Sequence, residues 1–321
     1  MADAYNSTAV LTNLVKTAYD RKMRLALRSV PQFRAIADTR PAAQTNPGDS
    51  VAFHIYSDLA AATTPLNEVT EPDAVAIANP TPISVTLQER GNYAVVTKRL
   101  QEFSLDGSLN GNIANILAFN MVDSLDKVIE AVLAGGSQVV RESAGSLSTS
   151  AAITTITGTD TVKSRDFRYA ITKLRAANVV PTRGDAYACY IHPEVSLDLR
   201  TETGAASWRV PQEYEALDGI FAGEIGKWEG GIFIETPRCG NAQSGSGAGA
   251  TQTRVFNSYV VGQEALAEAV AEEPHVVLDG VIVDPLKRKT AMGWYGILGW
   301  NRFRPESLWR IESTSSIHNQ A

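Results

Sequence analysis

The strongest pattern along this chain is a helical stripe. Between residues 108 and 135, Ile113, Ile116, Leu117, Phe119, Val122, Leu125, Val128, Ile129 and Val132 recur at helical spacing. Gly135 and Gly136 follow at once and predict where the helix stops. At 1.5 Å per residue such a helix is about 35–40 Å long, the width of a domain. A second amphipathic helix is predicted over 8–26, with Leu11, Leu14, Val15, Ala18, Met23 and Leu27 near one face. A third begins in SRDFRYAITKLRAANVVP, with Ser164 as its N-cap, Phe167, Ile171 and Leu174 inward, and Pro181 as its stop.

Alternation with period two marks the strands. SVAFHIYS sets Val51, Phe53 and Ile55 on one face and His54 and Tyr56 on the other. ISVTLQERGNYAVVTKRL alternates through Ile83, Val85, Leu87, Tyr93 and Val95. The two segments predict a long hairpin, interrupted by an irregular stretch with four prolines, DLAAATTPLNEVTEPDAVAIANPTP. A stretch of about 25 residues far exceeds a hairpin loop, so it is functional or is ordered by a partner. His54, among aromatic neighbours, is expected to be a structural histidine. Before the hairpin, PQFRAIADTRPAAQTNPGDS has three prolines and no period, the mark of an extended arm.

Beyond the long helix, SAGSLSTSAAITTITGTDT predicts a loop with a short strand. AYACYI predicts a strand, HPEVSLDLR the start of a helix, and GEIGKWEGGIFIETP a turn and strand. GNAQSGSGAGATQ predicts a flexible loop, and RVFNSYVVGQEALAEAV a strand running into a short helix. The remainder, from His275 on, is strand-rich and carries Trp294, Trp300 and Trp309. Helices and sheet segments are separated along the chain, which makes the class α+β.

Composition narrows the class further. With 44% hydrophobic and 20% charged residues, the 321-residue chain is ordinary globular material. No apolar run reaches the roughly 18 residues of a membrane helix, and the first residues lack the layout of a secretory signal. Two cysteines, Cys189 and Cys239, cannot build a disulfide framework, and a cytosolic site of synthesis fits best. Charge is uneven. Lys16 to Arg40 holds seven basic and two acidic residues, a net +5 within an overall −6. Charge alone favours a solvated face there; the sharper reading is a basic arm laid over an acidic neighbour or near nucleic acid.

Candidate chemistry is sparse. In CYIH, Cys189 and Ile191 fall on one strand face, Tyr190 and His192 on the other, so thiol and imidazole diverge. Pro193 suits a first helical turn, with Glu194 at the positive end of its dipole. SGSGAGATQ lacks the lysine of a phosphate loop, and GEIGKWEGG leads into a strand where a dinucleotide fingerprint needs a helix. Glu268, Glu272, Glu273, Asp279 and Asp284 flank His275 without metal-site spacing, and are expected to form an acidic surface edge that attracts cations weakly. No catalytic, cofactor-binding or metal-binding residue is assigned, and the chain is not expected to be an enzyme.

The order of these features resembles the Hong Kong 97-type major capsid proteins of tailed bacteriophages. The phrases LRAANVVPTRGDAYACYIHPEVSLDLR, GIFAGEIGKWEGGIFIETPR and YVVGQEALAEAV look like the axial-domain text of one branch of that family. The resemblance implies an α+β Hong Kong 97-type fold. Residues 1–47 would be an N-terminal arm, 48–100 an extended E-loop, and 101–163 a peripheral domain with its spine helix at 108–135. Residues 164–265 would be an axial domain, and 266–321 would return to the peripheral domain.

It also implies self-assembly as hexamers and pentamers into an icosahedral virion shell around double-stranded DNA, built in the host cytoplasm. Portal, separate scaffold (or none) and decoration proteins would be partners, with no membrane and no cofactor. Some relatives weld the shell through an E-loop lysine and an asparagine. No lysine occurs between Lys22 and Lys98 here, so no such crosslink is expected. The competing readings are an encapsulin-type compartment shell and a hydrolase using Cys189 and His192.

Overall fold

The computed structural model describes residues 28–41, 48–66, 68, 73–103, 109–182, 184–202, 224–244, 253–280 and 286–317. The helix expected over 8–26 lies outside them. A turn at Phe33–Ile36 leads into β1 (Asp38–Pro41), the pair β2 (Ser50–Ile55) and β3 (Thr81–Thr86), and then β4 (Gln88–Thr97). Short α1 (Lys98–Phe103) precedes long α2 (Leu109–Ala134). β5 (Val139–Ser143) and β6 (Ser146–Ser148) come before α3 (Ser164–Ala176), β7 (Tyr187–Ile191) and α4 (Pro193–Thr201). Strands β8 (Glu224–Trp228), β9 (Gly231–Glu235), β10 (Asn241–Ser244), β11 (Thr253–Val261), β12 (Leu266–Gly280), β13 (Lys289–Arg302) and β14 (Leu308–Ser313) complete the described chain.

One sheet has the order β1-β12-β13-β4; a larger one runs β6-β5-β14-β11-β7-β9-β8, with β10 also paired to β11. The larger sheet separates two cores. On one face α3 and α4 bury Phe167, Ile171, Leu174, Val195 and Leu199 against Tyr187, Cys189 and Ile191. On the other, Tyr190, Ile234 and Tyr259 meet Leu125, Ile129 and Leu133 of α2, together with Leu298 and Trp300 of the smaller sheet. A third cluster, Phe53, Val85, Ala267, Ala269 and Phe303, holds the β2–β3 pair to the opposite face of the smaller sheet.

The long helix forms as its stripe predicts, and Gly135 ends it with a specific task. Arg302 donates to the Val132 carbonyl at 3.0 Å and neutralises the helix's negative end. A Cβ on Gly135 would stand 2.5 Å from that guanidinium nitrogen. The stripe is wider than its cover, however: Ile116 and Val122 are 50% and 40% exposed.

Several expectations are corrected. GQEALAEAV does not start a helix; it is the loop into β12 and the first five residues of that strand. Its Ala and Glu content favours a helix only weakly. In the fold Leu266, Glu268 and Val270 face one side, Ala267 and Ala269 face the other, and ladders to β1 and β13 satisfy both edges. The alternation from Ile83 to Val95 is two strands in different sheets, divided at Leu87. Asn241–Ser244, expected as loop, pairs with β11. Ser164 is the first helical residue, and Lys163 takes the extended cap position. The Asp166 carboxylate accepts from the Lys163 amide at 2.9 Å, while Ser164 bonds to Glu202. His54 is exposed, so it is no buried structural histidine.

The arm is bound to the body by buried charge. Asp126 of α2 accepts from the Phe33 amide at 2.9 Å, and Phe33 inserts between Tyr190 and Tyr259, ring centroids 5.4 and 6.1 Å away. β1 then pairs parallel to β12 with Thr39 opposite Glu268. The Glu268 carboxylate is wholly buried and receives Arg34 at 2.8 Å and the Thr39 hydroxyl at 2.6 Å. Arg34 also reaches Glu273 at 3.0 Å. Glu268 therefore leaves the acidic surface edge expected of it.

Two predictions follow from these contacts. Arg34→Ala strands a buried carboxylate and should lower unfolding free energy in urea by about 2–4 kcal/mol, tempered by water's access to Arg34. Adding Glu268→Gln should recover more than half of that loss; a double variant as weak as the single would refute the account. The second concerns Asp166, which is buried beside Glu142 and is pushed up to about 8 by burial first and by that neighbour second. Its folded form keeps a proton that the unfolded chain has released. This contribution is whole below about pH 4 and is lost as pH rises to about 8. Asp166→Asn, which mimics the protonated acid, should melt with wild type at pH 4 and above it at pH 9. A difference that does not change with pH would rule this out.

Candidate assembly surfaces

Cys189 and His192, the pair in the sequence most suggestive of chemistry, are kept apart by the strand. Cys189 is fully buried in the core under α3, and burial pushes its thiol well above the ordinary range. His192 caps α4, its Nδ1 accepting from the Glu194 amide at 3.3 Å, and stacks on Phe256 at 4.6 Å. Burial holds its imidazole below the usual value, favouring the neutral ring that a cap acceptor requires. Cys239 lies in the other core, buried near Glu130 and Asp126, which also push its thiol up. Among the described residues no group of three or more His, Cys, Asp or Glu side chains could hold a metal ion. No described helix is long and apolar enough to cross a membrane.

The informative features are surfaces. The first is the arm on the spine of the molecule. Arg238, 8% exposed, spans Asp123 at 2.6 Å and Asp126 at 3.1 Å, and donates to the Ser29 carbonyl at 3.4 Å. Arg28 donates to the Asn115 carbonyl at 3.3 Å with its guanidinium 4.5 Å over the Phe119 ring. Residues 28–36 thus run along α2 from Asn115 toward Asp126. Of the arm's basic residues, Arg34 meets acids of the same chain, Glu268 and Glu273, whereas Arg28 meets a carbonyl and a ring, and Lys16 to Arg24 lie outside the described residues. Composition could not locate the acids, because Glu268 is separated from Arg34 by more than two hundred residues.

The second surface is the segment joining β2 to β3. Every described residue from Tyr56 to Asn79 is exposed. Leu59, Leu66, Val75 and Ile77 are among them, at 55, 77, 72 and 69% exposure. Only its base is packed, through Phe53 against Phe303 at 5.8 Å and Val85 beneath. Single exposed apolar side chains are normal on a protein surface; four on one unsupported excursion are not.

The third is β13, which carries the sheet under that base. At Gly299 an added Cβ would lie 2.1 Å from the Thr86 carbonyl oxygen, so the β3 backbone can lie down on it only because the residue is glycine. Asn301 reinforces the contact by donating to the Ser84 carbonyl at 2.8 Å.

Comparison with known proteins identifies the family and the fold. A family model described as phage capsid protein matches residues 25–310. No curated protein sequence matches the chain. Among solved structures, the capsid of Ralstonia phage GP4 covers 97% of this chain and 98% of its own at 12% identity, with TM-score 0.73. The capsid of cyanophage P-SCSP1u covers 95% and 94% at 14% identity, with TM-score 0.68. The acid-stable capsid of Helicobacter pylori bacteriophage KHP30 covers 98% and 99% at 13% identity, with TM-score 0.66. At such identities these neighbours establish the shared fold, α+β and Hong Kong 97-like, and all of them are structural proteins of phage heads. With the family model spanning most of its length, the chain belongs to the phage capsid protein family.

Proposed function

We propose that this chain is the major head protein of a tailed phage, assembling as hexamers and pentamers into an icosahedral shell that encloses double-stranded DNA. The observation that carries the reading is the excursion from Tyr56 to Asn79, which exposes large apolar side chains that its own chain leaves uncovered. A chain of this kind buries them only on a neighbour. In this reading residues 1–47 are the arm, 48–100 the E-loop and 164–265 the axial domain. Residues 101–163 with 266–321 form the peripheral domain around the spine helix. Support comes from the two cores divided by the larger sheet, and from α2 bridging that sheet to the smaller one.

No residue is assigned a catalytic, metal or cofactor role, in keeping with a neutral, capping His192 and a buried Cys189. The shell is held without covalent welds, because the loop at 48–100 has only Lys98, at its far end. Portal, scaffold and decoration proteins enter from the family, as does assembly in the host cytoplasm.

Replacing Ser57–Asn79 by an Asn-Gly turn should leave far-UV circular dichroism unchanged and the melting temperature within a few degrees, since every described residue of the deleted segment is exposed. The same variant should yield no shells by negative-stain electron microscopy under conditions where wild type forms uniform polyhedra. Shells from the deleted chain, or none from wild type, would overturn the reading. Boiled wild-type particles should run as a single monomer band on SDS gels; covalent ladders would refute the non-covalent part.

A further inference from the structure

The chain crosses between its two sheets through two short connections that lie side by side. Residues 262–265 carry it from β11 in the larger sheet to β12 in the smaller, and residues 303–307 return it from β13 to β14. Backbone hydrogen bonds lace the two together. The Gly262 amide donates to the Ser307 carbonyl at 2.8 Å, Phe303 to Ala265 at 3.0 Å and Arg304 to Glu264 at 3.1 Å. The segment after α3 joins them, because the Gln263 amide donates to the Val180 carbonyl at 2.9 Å. Glycine is required at 262, where a Cβ would stand 2.3 Å from the Val179 side chain.

Between these three segments is an open cleft of about 380 Å³, within the size range of small-molecule sites. Val179 and Val180 give it an apolar wall, and Glu264, Arg304, Glu306 and Ser307 its polar lining. Its frame is held by backbone, so the cleft exists before anything enters it.

The cleft is electrically negative. Helix α3 ends at it: Ala177 and Asn178, the first residues past the last turn, are part of the lining, so the negative end of the helix dipole borders the space. The basic residues of that last turn are held by other partners, Lys173 over the Tyr169 ring at 5.3 Å and Arg175 on the Glu229 carbonyl at 3.2 Å. Arg304, the one cation among the lining residues, is committed to Glu264 at 2.6 Å. Glu306 makes no ion pair among the described residues, and the buried Ser307 hydroxyl has no hydrogen-bond partner there. One negative charge is therefore unanswered, beside a helix end of the same sign.

We infer that this cleft binds a small organic cation, an alkylammonium whose charged end meets Glu306 and the end of α3 while its stem lies on Val179 and Val180. An ammonium brings three donors and asks for a few scattered acceptors. An anion would meet the wrong sign at both. A bare divalent ion needs several oxygen ligands at once, and among the described residues no group of three acidic side chains could supply them. The site is complete in a single chain and needs no shell, so it stands apart from the head-protein reading. Because all three segments border the cleft, its occupant ties both sheet crossings to α3.

Calorimetric titration of the dispersed full chain with butylamine at neutral pH tests the assignment. One butylammonium should bind per chain with a dissociation constant of about 1 mM, the range open to so few atoms. It should also raise the melting temperature, since it binds the folded form. Glu306→Gln should weaken binding by about threefold to fivefold, the modest effect of an exposed charge. Glu306→Lys, which supplies the cation from within, should abolish it, and so should Ala177→Phe, which fills the cleft from an exposed position. Circular dichroism should be the same for all three variants. Butyrate or magnesium binding as well as butylammonium, no binding at about 10 mM amine, or a titration unaltered by Glu306→Lys would overturn the assignment. None of these outcomes depends on whether the chain forms shells.

Discussion

A carboxylate buried in the face of a sheet has to be met by donors that are not part of that strand. Glu268 imposes this condition, and the arm answers it with Arg34 and Thr39. Much else is arranged around the joint. Thr39 can reach Glu268 only in the observed register of β1, so a slip of one residue would remove one donor and turn the strand's faces over. Phe33 enters the core beside Tyr190 and Tyr259 because its amide is held by Asp126, and Asp126 is in turn steadied by Arg238. The same device recurs at other seams. Arg165 clasps Glu142 between α3 and β5, and Arg141 and Arg310 share Glu312 between β5 and β14. Apolar burial supplies most of the driving force, and these pairs specify which element lies on which.

What could be read in advance follows from the range of the signal. Helices α2, α3 and α4 and strand β7 are legible because their determinants are local: period, caps and proline. The buried face of α3, Phe167, Ile171 and Leu174, is the one its spacing predicts. β12 departs from the helix its letters predict because its determinant is not local. Alanine and glutamate prefer a helix when nothing else decides, but two neighbouring strands decide here. The break at Leu87 is hidden for a similar reason, since alternation continues through it and only the change of partner strand marks it.

The candidate site follows the same rule. The divergence of Cys189 and His192 is a property of strand pleat and was visible from four letters. The exposed excursion was visible as a stretch too long and too proline-rich for a turn. Charge was the weak guide. The acids around His275 look uniform in sequence, yet Glu268 is wholly buried and Glu273 is largely exposed, and only the packing of β12 against the arm separates them. Likewise Ile116 and Val122 fit the helical stripe but miss the cover, whose width is a tertiary fact.

Strand β7 has one more implication. Successive residues along it belong to different cores, Cys189 to one and Tyr190 to the other, so the larger sheet is a partition with no apolar contact of its own strand continuing across it. Load entering the molecule on the α3 side has to cross that wall to reach α2. β7 is held by a parallel ladder to β9 and an antiparallel ladder to β11. A pull along the strands strains these hydrogen bonds together, whereas a pull across them opens the ladder one bond at a time. Strand β7 should therefore resist a pull along its length better than a pull across it, a grain like that of wood that lies along YACYI.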